Sequence, residues 1–191
     1  MTAANQQERL GVTEQQRWFL AGFIEGEGSV CVSLKAHPTA KFGYYVDPEF
    51  FLYQHRAYPQ LLELAQRMFG SGRIFPKQGN ERVLVYAIAS RKTLAEKVVP
   101  FLRHYMFFAP RKAIYERWCE IVEAMERKEH HTPQGMAQIV EKAYLLNPVA
   151  KGKPRKRSLH EVTARILRDY TPNVSQLRDE DIVRPAERSA D

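Results

Sequence analysis

The eleven residues from Trp18 to Gly28, Trp-Phe-Leu-Ala-Gly-Phe-Ile-Glu-Gly-Glu-Gly, constrain the fold more than any other stretch of the chain. An apolar run with Ala21 and Gly22 at its middle reads as a helix whose small residues let a second backbone approach closely. A glycine inside a helix costs about 1 kcal/mol relative to alanine, so Gly22 implies a packing reason. The run ends in Glu25-Gly26-Glu27-Gly28, where glycine allows the chain to leave the helix with positive φ. Carboxylates at that end face the negative pole of the helix dipole, which is unfavourable until a cation is near.

The flanking residues extend this into an order of elements. Thr13-Glu14-Gln15-Gln16 has the form of a capping box, so the helix is expected to start there and to run to about Glu25. From Ser29 to Lys35 the period changes to two, with Val30, Val32 and Leu34 on one face. Ser29, Cys31, Ser33 and Lys35 take the other, giving a half-buried strand with a small, polar and basic open side. A second strand region, about Phe42 to His55, is rich in aromatic residues and is expected to be interrupted near Asp47-Pro48. Pro59 opens an apolar helix that ends at Gly70. Gly72 to Lys77 and Arg82 to Ala89 form a hairpin around Gln78-Gly79-Asn80. Ser90 caps a helix through about Phe101. Pro110 opens a longer one, Arg111 to about Glu129, with Ile114, Tyr115, Trp118, Cys119, Val122 and Met125 on one stripe. A helix over roughly Pro133 to Leu146 and a last one, capped by Ser158 and reaching about Asp169, complete the pattern. The fold class is α+β. Residues 1–12 read as a flexible lead and 170–191 as a disordered tail.

Charge points to the partner. The chain carries 29 Lys+Arg against 22 Asp+Glu, a net +7. Seven Lys+Arg and two Asp+Glu lie between Lys151 and Asp169, so most of that excess sits in one short segment. A local basic segment is the electrostatic footprint of a nucleic-acid binder, the alternative being a merely solvated loop. The two cysteines, Cys31 and Cys119, are far apart, and no disulfide framework or zinc site is indicated. No run is long and apolar enough to span a membrane, and the first ten residues lack a signal-peptide core. A reduced compartment is expected, cytoplasmic or an organellar matrix.

Leu20 to Gly28, Leu-Ala-Gly-Phe-Ile-Glu-Gly-Glu-Gly, resembles the signature of the LAGLIDADG homing endonucleases. It carries Glu for both Asp and Gly for the second Ala. The resemblance covers about residues 13–169 and implies an αββαββα core, a curved antiparallel sheet that straddles DNA as a saddle, and C-terminal helices. The motif occurs once. A chain of that family with one motif pairs with a second copy through its first helix, here Phe19, Ala21, Gly22 and Glu25. The implied target is then a near-palindromic double-stranded site. The implied activity is Mg²⁺-dependent hydrolysis of one phosphodiester in each strand, with Mn²⁺ able to substitute. By the same mapping Glu27 is the metal ligand, the Gly26 carbonyl an extra ligand, and Gln54 positions water unless it is an ordinary surface glutamine. Lys112 or Arg111 supplies the positive charge near the phosphate, although this chain departs from the family pattern there, with Tyr105-Met106-Phe107-Phe108 inserted. His55 is a lesser candidate. Contacts to DNA are expected from Ser29, Cys31, Ser33, Lys35, Arg56, Arg73, Lys77 and Arg82. Lys151, Lys153, Arg155, Lys156 and Arg157, in the basic loop and C-terminal segment 147–169, would grip phosphates. The alternative is a non-cleaving binder of the same fold, an intron RNA maturase or a DNA-binding regulator.

Overall fold

The computed structural model describes residues 11–106, 109–146 and 157–168. The first helix, α1, spans Glu14–Glu27, and Thr13 closes a complete capping box with Gln16 at its start. Val12, expected in the loose lead, is buried at 5 % exposure and belongs to the core. The chain passes from α1 straight into strand β1, Gly28–Ala36, with no loop between them. The helix therefore runs two residues further than expected, to Glu27, and the exit does not use positive φ. Gly28 is extended, at φ −81 and ψ 150. Glycine is required there because of crowding: a Cβ would lie 2.4 Å from the Ile24 carbonyl oxygen and 2.9 Å from its Cγ2.

Strand β2, Tyr44–His55, is continuous through Asp47-Pro48, where an interruption was expected. The register explains this. β2 pairs with β1 along its length, but with the fourth strand only from Phe50 onward. Pro48 therefore lies where one side of β2 is a free edge, and an edge tolerates a residue that cannot donate. Helix α2, Gln60–Phe69, leads to the hairpin of β3, Arg73–Lys77, and β4, Asn80–Ile88. Gly79 turns that hairpin at φ +77. The four strands form one antiparallel sheet in the order β1-β2-β4-β3.

Helix α3 begins after the Ser90 cap and runs as Arg91–Thr93, a π-helical turn Leu94–Val98, and Val99–Tyr105. It reaches Tyr105 rather than Phe101. The wider π turn precedes Pro100, a residue that an ordinary helix interior rejects for its missing N–H. Helix α4 is Lys112–Glu126, shorter at both ends than the expected Arg111 to Glu129. A single 3₁₀ turn, Glu129–His131, leads to α5, Pro133–Leu146. Helix α6, Leu159–Leu167, starts on a capping box between Ser158 and Glu161.

One face of the sheet carries the core. Val30, Val32, Phe50, Leu52, Tyr86 and Ile88 are all buried against helical residues that include Ile24, Phe69, Trp118 and Val122. Trp118 also ties α4 to β1, its Nε1–H donating to the Cys31 carbonyl at 3.1 Å. On the opposite face Ser29, Cys31 and Ser33 of β1 are half-buried, while Lys35 of β1 and Arg73 and Phe75 of β3 are exposed. The αββαββα order and the open antiparallel sheet agree with the expected fold class. No helix of the described residues is long and apolar enough to cross a membrane.

Candidate functional site

The end of α1 is held by α4. The Arg111 guanidinium donates from Nη1 to the Glu25 carbonyl and from Nη2 to the Gly28 carbonyl, each at 3.0 Å. Its backbone N–H donates to Glu25 Oε1 at 3.3 Å. The Tyr115 hydroxyl donates to the Ile24 carbonyl at 3.1 Å, and the Gly28 N–H reaches the same oxygen. These groups satisfy carbonyls that a helix C-terminus otherwise leaves without donors. They also bracket Gly26 and Glu27 between two fixed peptide groups.

Glu27 itself is exposed and has neither a hydrogen bond nor an ion pair among the described side chains. Glu25 differs. It is half-buried, and its Oε2 is shielded from solvent with no hydrogen-bond partner among the described residues. Of the two motif carboxylates, Glu27 is the one free to take a ligand. A hard oxygen donor at a helix C-terminus, beside the Gly26 carbonyl, suits a divalent cation that keeps much of its water. No three His, Cys, Asp or Glu side chains of the described residues cluster to hold a metal, so Glu27 alone makes a partial site.

Gln54 lies at the same end of the sheet as Glu27, two residues past Leu52, which pairs with Gly28. By alternation its side chain shares the helix-covered face with Leu52, not the open face. Its Oε1 accepts from the His55 N–H at 2.8 Å, a local turn contact. His55 Nδ1 in turn accepts from Ala57 N–H at 3.2 Å. Of the two basic candidates, Arg111 is committed to the backbone clamp and lies 5.2 Å over the Tyr115 ring. Lys112 is exposed, and its amine makes no hydrogen bond or ion pair among the described residues. It lines a small groove with Arg103 and Glu116, between α3 and α4.

The open face of the sheet presents Ser29, Cys31, Ser33 and Lys35 from β1 as expected. Beside them stand residues of β2 that the expected interruption had hidden. Register places Glu49 opposite Cys31 and Asp47 opposite Ser33. Glu49 Oε2 accepts from Ser33 Oγ at 3.4 Å and from Cys31 Sγ at 3.8 Å. Burial, with the Glu49 charge beside it, pushes the Cys31 thiol up to about 12, so it stays a neutral donor. Lys35 pairs with Asp47 at 3.0 Å. Thus Cys31, Ser33 and Lys35 are already engaged by two carboxylates. Unbroken alternation from Phe50 and Leu52 back through Pro48 was the signal that would have found them. Arg73 and Lys77 are exposed on β3, and Lys77 Nζ lies 5.3 Å over the Tyr53 ring. Arg56 and Arg82 are exposed together, the Arg56 N–H donating to the Arg82 carbonyl at 2.8 Å.

The outer face of α1 shows Trp18 and Phe19 at 44 % and 63 % exposure. Gly22 and Gly26 are exposed beside them, and a Cβ on either would meet nothing within 4 Å. Among the described residues nothing packs on Gly22 closely enough to supply the packing reason it implies. Ala21, grouped with it, is buried in the chain's own core at 4 % exposure, because it falls on the Leu20–Ile24 side of the helix. Arg157 is exposed ahead of α6, and its carbonyl accepts from the Tyr144 hydroxyl at 3.0 Å. Lys151, Lys153, Arg155 and Lys156 lie outside the described residues, as do Phe107, Phe108 and the tail from 169 onward.

Residues 20–122 match the family model of the LAGLIDADG endonucleases. The DNA endonuclease I-CeuI of Chlamydomonas moewusii is 39 % identical over 71 % of this chain, which spans 62 % of that protein's length. The homing endonuclease I-ApeII of Aeropyrum pernix is 30 % identical over 75 % of this chain and 86 % of its own. Among solved structures, the archaeal intron-encoded homing endonuclease I-Vdi141I, complexed with DNA, superposes with a TM-score of 0.74. It is 29 % identical, over 82 % of this chain and 97 % of that one.

Proposed function

Because the chain belongs to the LAGLIDADG endonuclease family, we propose that it is a site-specific DNA endonuclease. In this reading it works as a homodimer and cuts both strands of a near-palindromic target. The observation that carries the reading is the free Glu27 carboxylate at the clamped end of α1, next to the open face of the sheet. Two copies docked through the outer face of α1 would bury Trp18 and Phe19 against small residues, with Gly22 and Gly26 allowing the backbones to approach. Two-fold symmetry would then bring both Glu27 carboxylates to one centre, with the sheets extending to either side.

Glu27 and the Gly26 carbonyl are the residues that would hold Mg²⁺. When bound, the ion polarises the scissile phosphate and lowers the pKa of water beside it. The chain's own residues supply the rest. Arg111 and Tyr115 fix the peptide groups around Glu27, so its carboxylate meets the phosphate from a set direction. Lys112, exposed and without an ion-pair partner among the described residues, would stabilise charge developing on the phosphate. Ser29, Arg73, Lys77 and the other open-face groups would meet base edges in the major groove. Arg157 and the basic segment before it would contact phosphates, adding affinity but no sequence information.

Two observations favour the second reading, a binder of the same fold that does not cut. Arg111 is occupied by backbone carbonyls, and Gln54 accepts from its own neighbour. The deciding experiment exposes the protein to a randomised palindromic duplex library, with Mg²⁺ and with EDTA. Double-strand cuts at one recovered site, seen only with Mg²⁺, support the endonuclease. Enrichment of a bound site that is never cut supports the binder.

A further inference from the structure

Two carboxylates of β2 stand on the open face of the sheet, and the protein treats them differently. Asp47 is neutralised by Lys35 at 3.0 Å. Glu49 has no cation within ion-pair distance among the described residues. It is held instead by two neutral donors, Ser33 Oγ and Cys31 Sγ, both on the same oxygen. Its other oxygen is left to accept. Glu49 also lines a depression of about 560 Å³ on this face, with Phe51, Arg73, Phe75 and Ala87 among its walls. Arg73 borders the depression without pairing with the carboxylate.

An uncompensated negative charge on a surface that meets a polyanion weakens every non-specific complex. It contributes only if a hydrogen-bond donor is delivered to it. Base edges in the major groove offer two such donors, cytosine N4–H₂ and adenine N6–H₂. Adenine places its N7 acceptor beside that donor, where a carboxylate is repelled. Guanine and thymine present acceptors at the corresponding place. Cytosine satisfies the group without a clash.

We propose that Glu49 is a specificity-determining residue that selects cytosine at one position of each half-site. The inference rests on the reading of this chain as a DNA endonuclease. Ser33 and Cys31 fix the carboxylate so that little side-chain freedom is lost on contact, and the bases flanking the cytosine meet Phe51 and Phe75. Glu49 therefore acts as a filter. It admits one base and raises the cost of the other three.

The test compares base preference, position by position, for wild type, Glu49→Gln and Glu49→Ala on the randomised palindromic duplex library. The readout is bound DNA, collected with Ca²⁺ in place of Mg²⁺. Wild type should select cytosine at one symmetric position by about tenfold or more. Glu49→Gln should shift that position toward adenine, since an amide offers a donor to N7 as well as an acceptor. Glu49→Ala should lose the preference there and bind non-specific duplex more tightly. The same preferences at all positions in the three proteins would overturn the proposal while leaving DNA recognition intact. No sequence selection by wild type would overturn both. Thermal unfolding of each variant at the wild-type temperature shows that a change in preference is not misfolding.

Discussion

Replacing Arg111 with alanine isolates what the clamp contributes. The substitution removes two charge-assisted hydrogen bonds, to the carbonyls of Glu25 and Gly28, and leaves the backbone N–H contact to Glu25 in place. Hydrogen bonds from a charged donor contribute about 1.5–3 kcal/mol each. Arg111 is half-buried, so water can reach part of the vacated space, and the lower figure applies. The pair then contributes about 3 kcal/mol. For a chain of this size each kcal/mol moves the melting temperature by about 2–4 °C, so Arg111→Ala should melt roughly 6–12 °C below wild type. Arg111→Lys keeps the charge but not the planar fork that reaches two carbonyls, and should recover about half of the loss. Lys112→Ala is the contrast. Its side chain is exposed and touches no hydrogen-bond partner among the described residues, so stability should change by less than about 0.5 kcal/mol. If Lys112 supplies the catalytic cation, DNA cleavage should nevertheless fall sharply in that variant. Differential scanning calorimetry and single-turnover cleavage, run on all three variants, read both quantities. Arg111→Ala melting within about 1 °C of wild type would refute the clamp.

Gly22 of α1, Gly28 at its C-cap and one histidine give further expectations. Gly28→Ala forces a methyl group to 2.4 Å from the Ile24 carbonyl oxygen and should destabilise the fold by about 1–3 kcal/mol, measured by urea unfolding. Gly22→Leu meets open space, so the chain should still fold, while self-association through the proposed dimer face, followed by analytical ultracentrifugation, should weaken by about tenfold or more. His130 is pushed down from 6.5 to about 4 by burial and by the charges of His131 and Arg91. The unfolded chain therefore binds an extra proton between those values, so the contribution of neutral His130 is complete above pH 6.5 and is lost as pH falls toward 4. His130→Gln should flatten the fall in melting temperature over that window.

The elements were legible where local chemistry and periodicity agreed. The Thr13 capping box, the two-residue alternation of β1, the Pro59 start and the Gly79 turn all stand where sequence placed them. Legibility failed where a tertiary partner decides. Pro48 reads as a strand breaker, yet the free edge of β2 accommodates it, and that one misreading concealed Asp47 and Glu49 on the open face. Gly28 reads as a positive-φ exit, but its cause is contact with Ile24, which no local pattern reveals. Ala21 and Gly22 are neighbours in sequence, while a helix turns about 100° between them, so one is core and the other surface. Arg111 and Lys112 were equivalent as letters. Only the approach of α4 to the end of α1 separates a clamp from a free cation.

One comparison tests most directly the proposed role of Glu27 in holding the metal ion that cleavage would require. Wild type and Glu27→Gln are assayed on the recovered target for binding and for single-turnover cleavage across a Mg²⁺ titration. The account predicts equal affinity for the DNA in Ca²⁺, with cleavage by the variant reduced more than about 100-fold at every Mg²⁺ concentration. Cleavage by Glu27→Gln at the wild-type rate and the wild-type Mg²⁺ midpoint would contradict it.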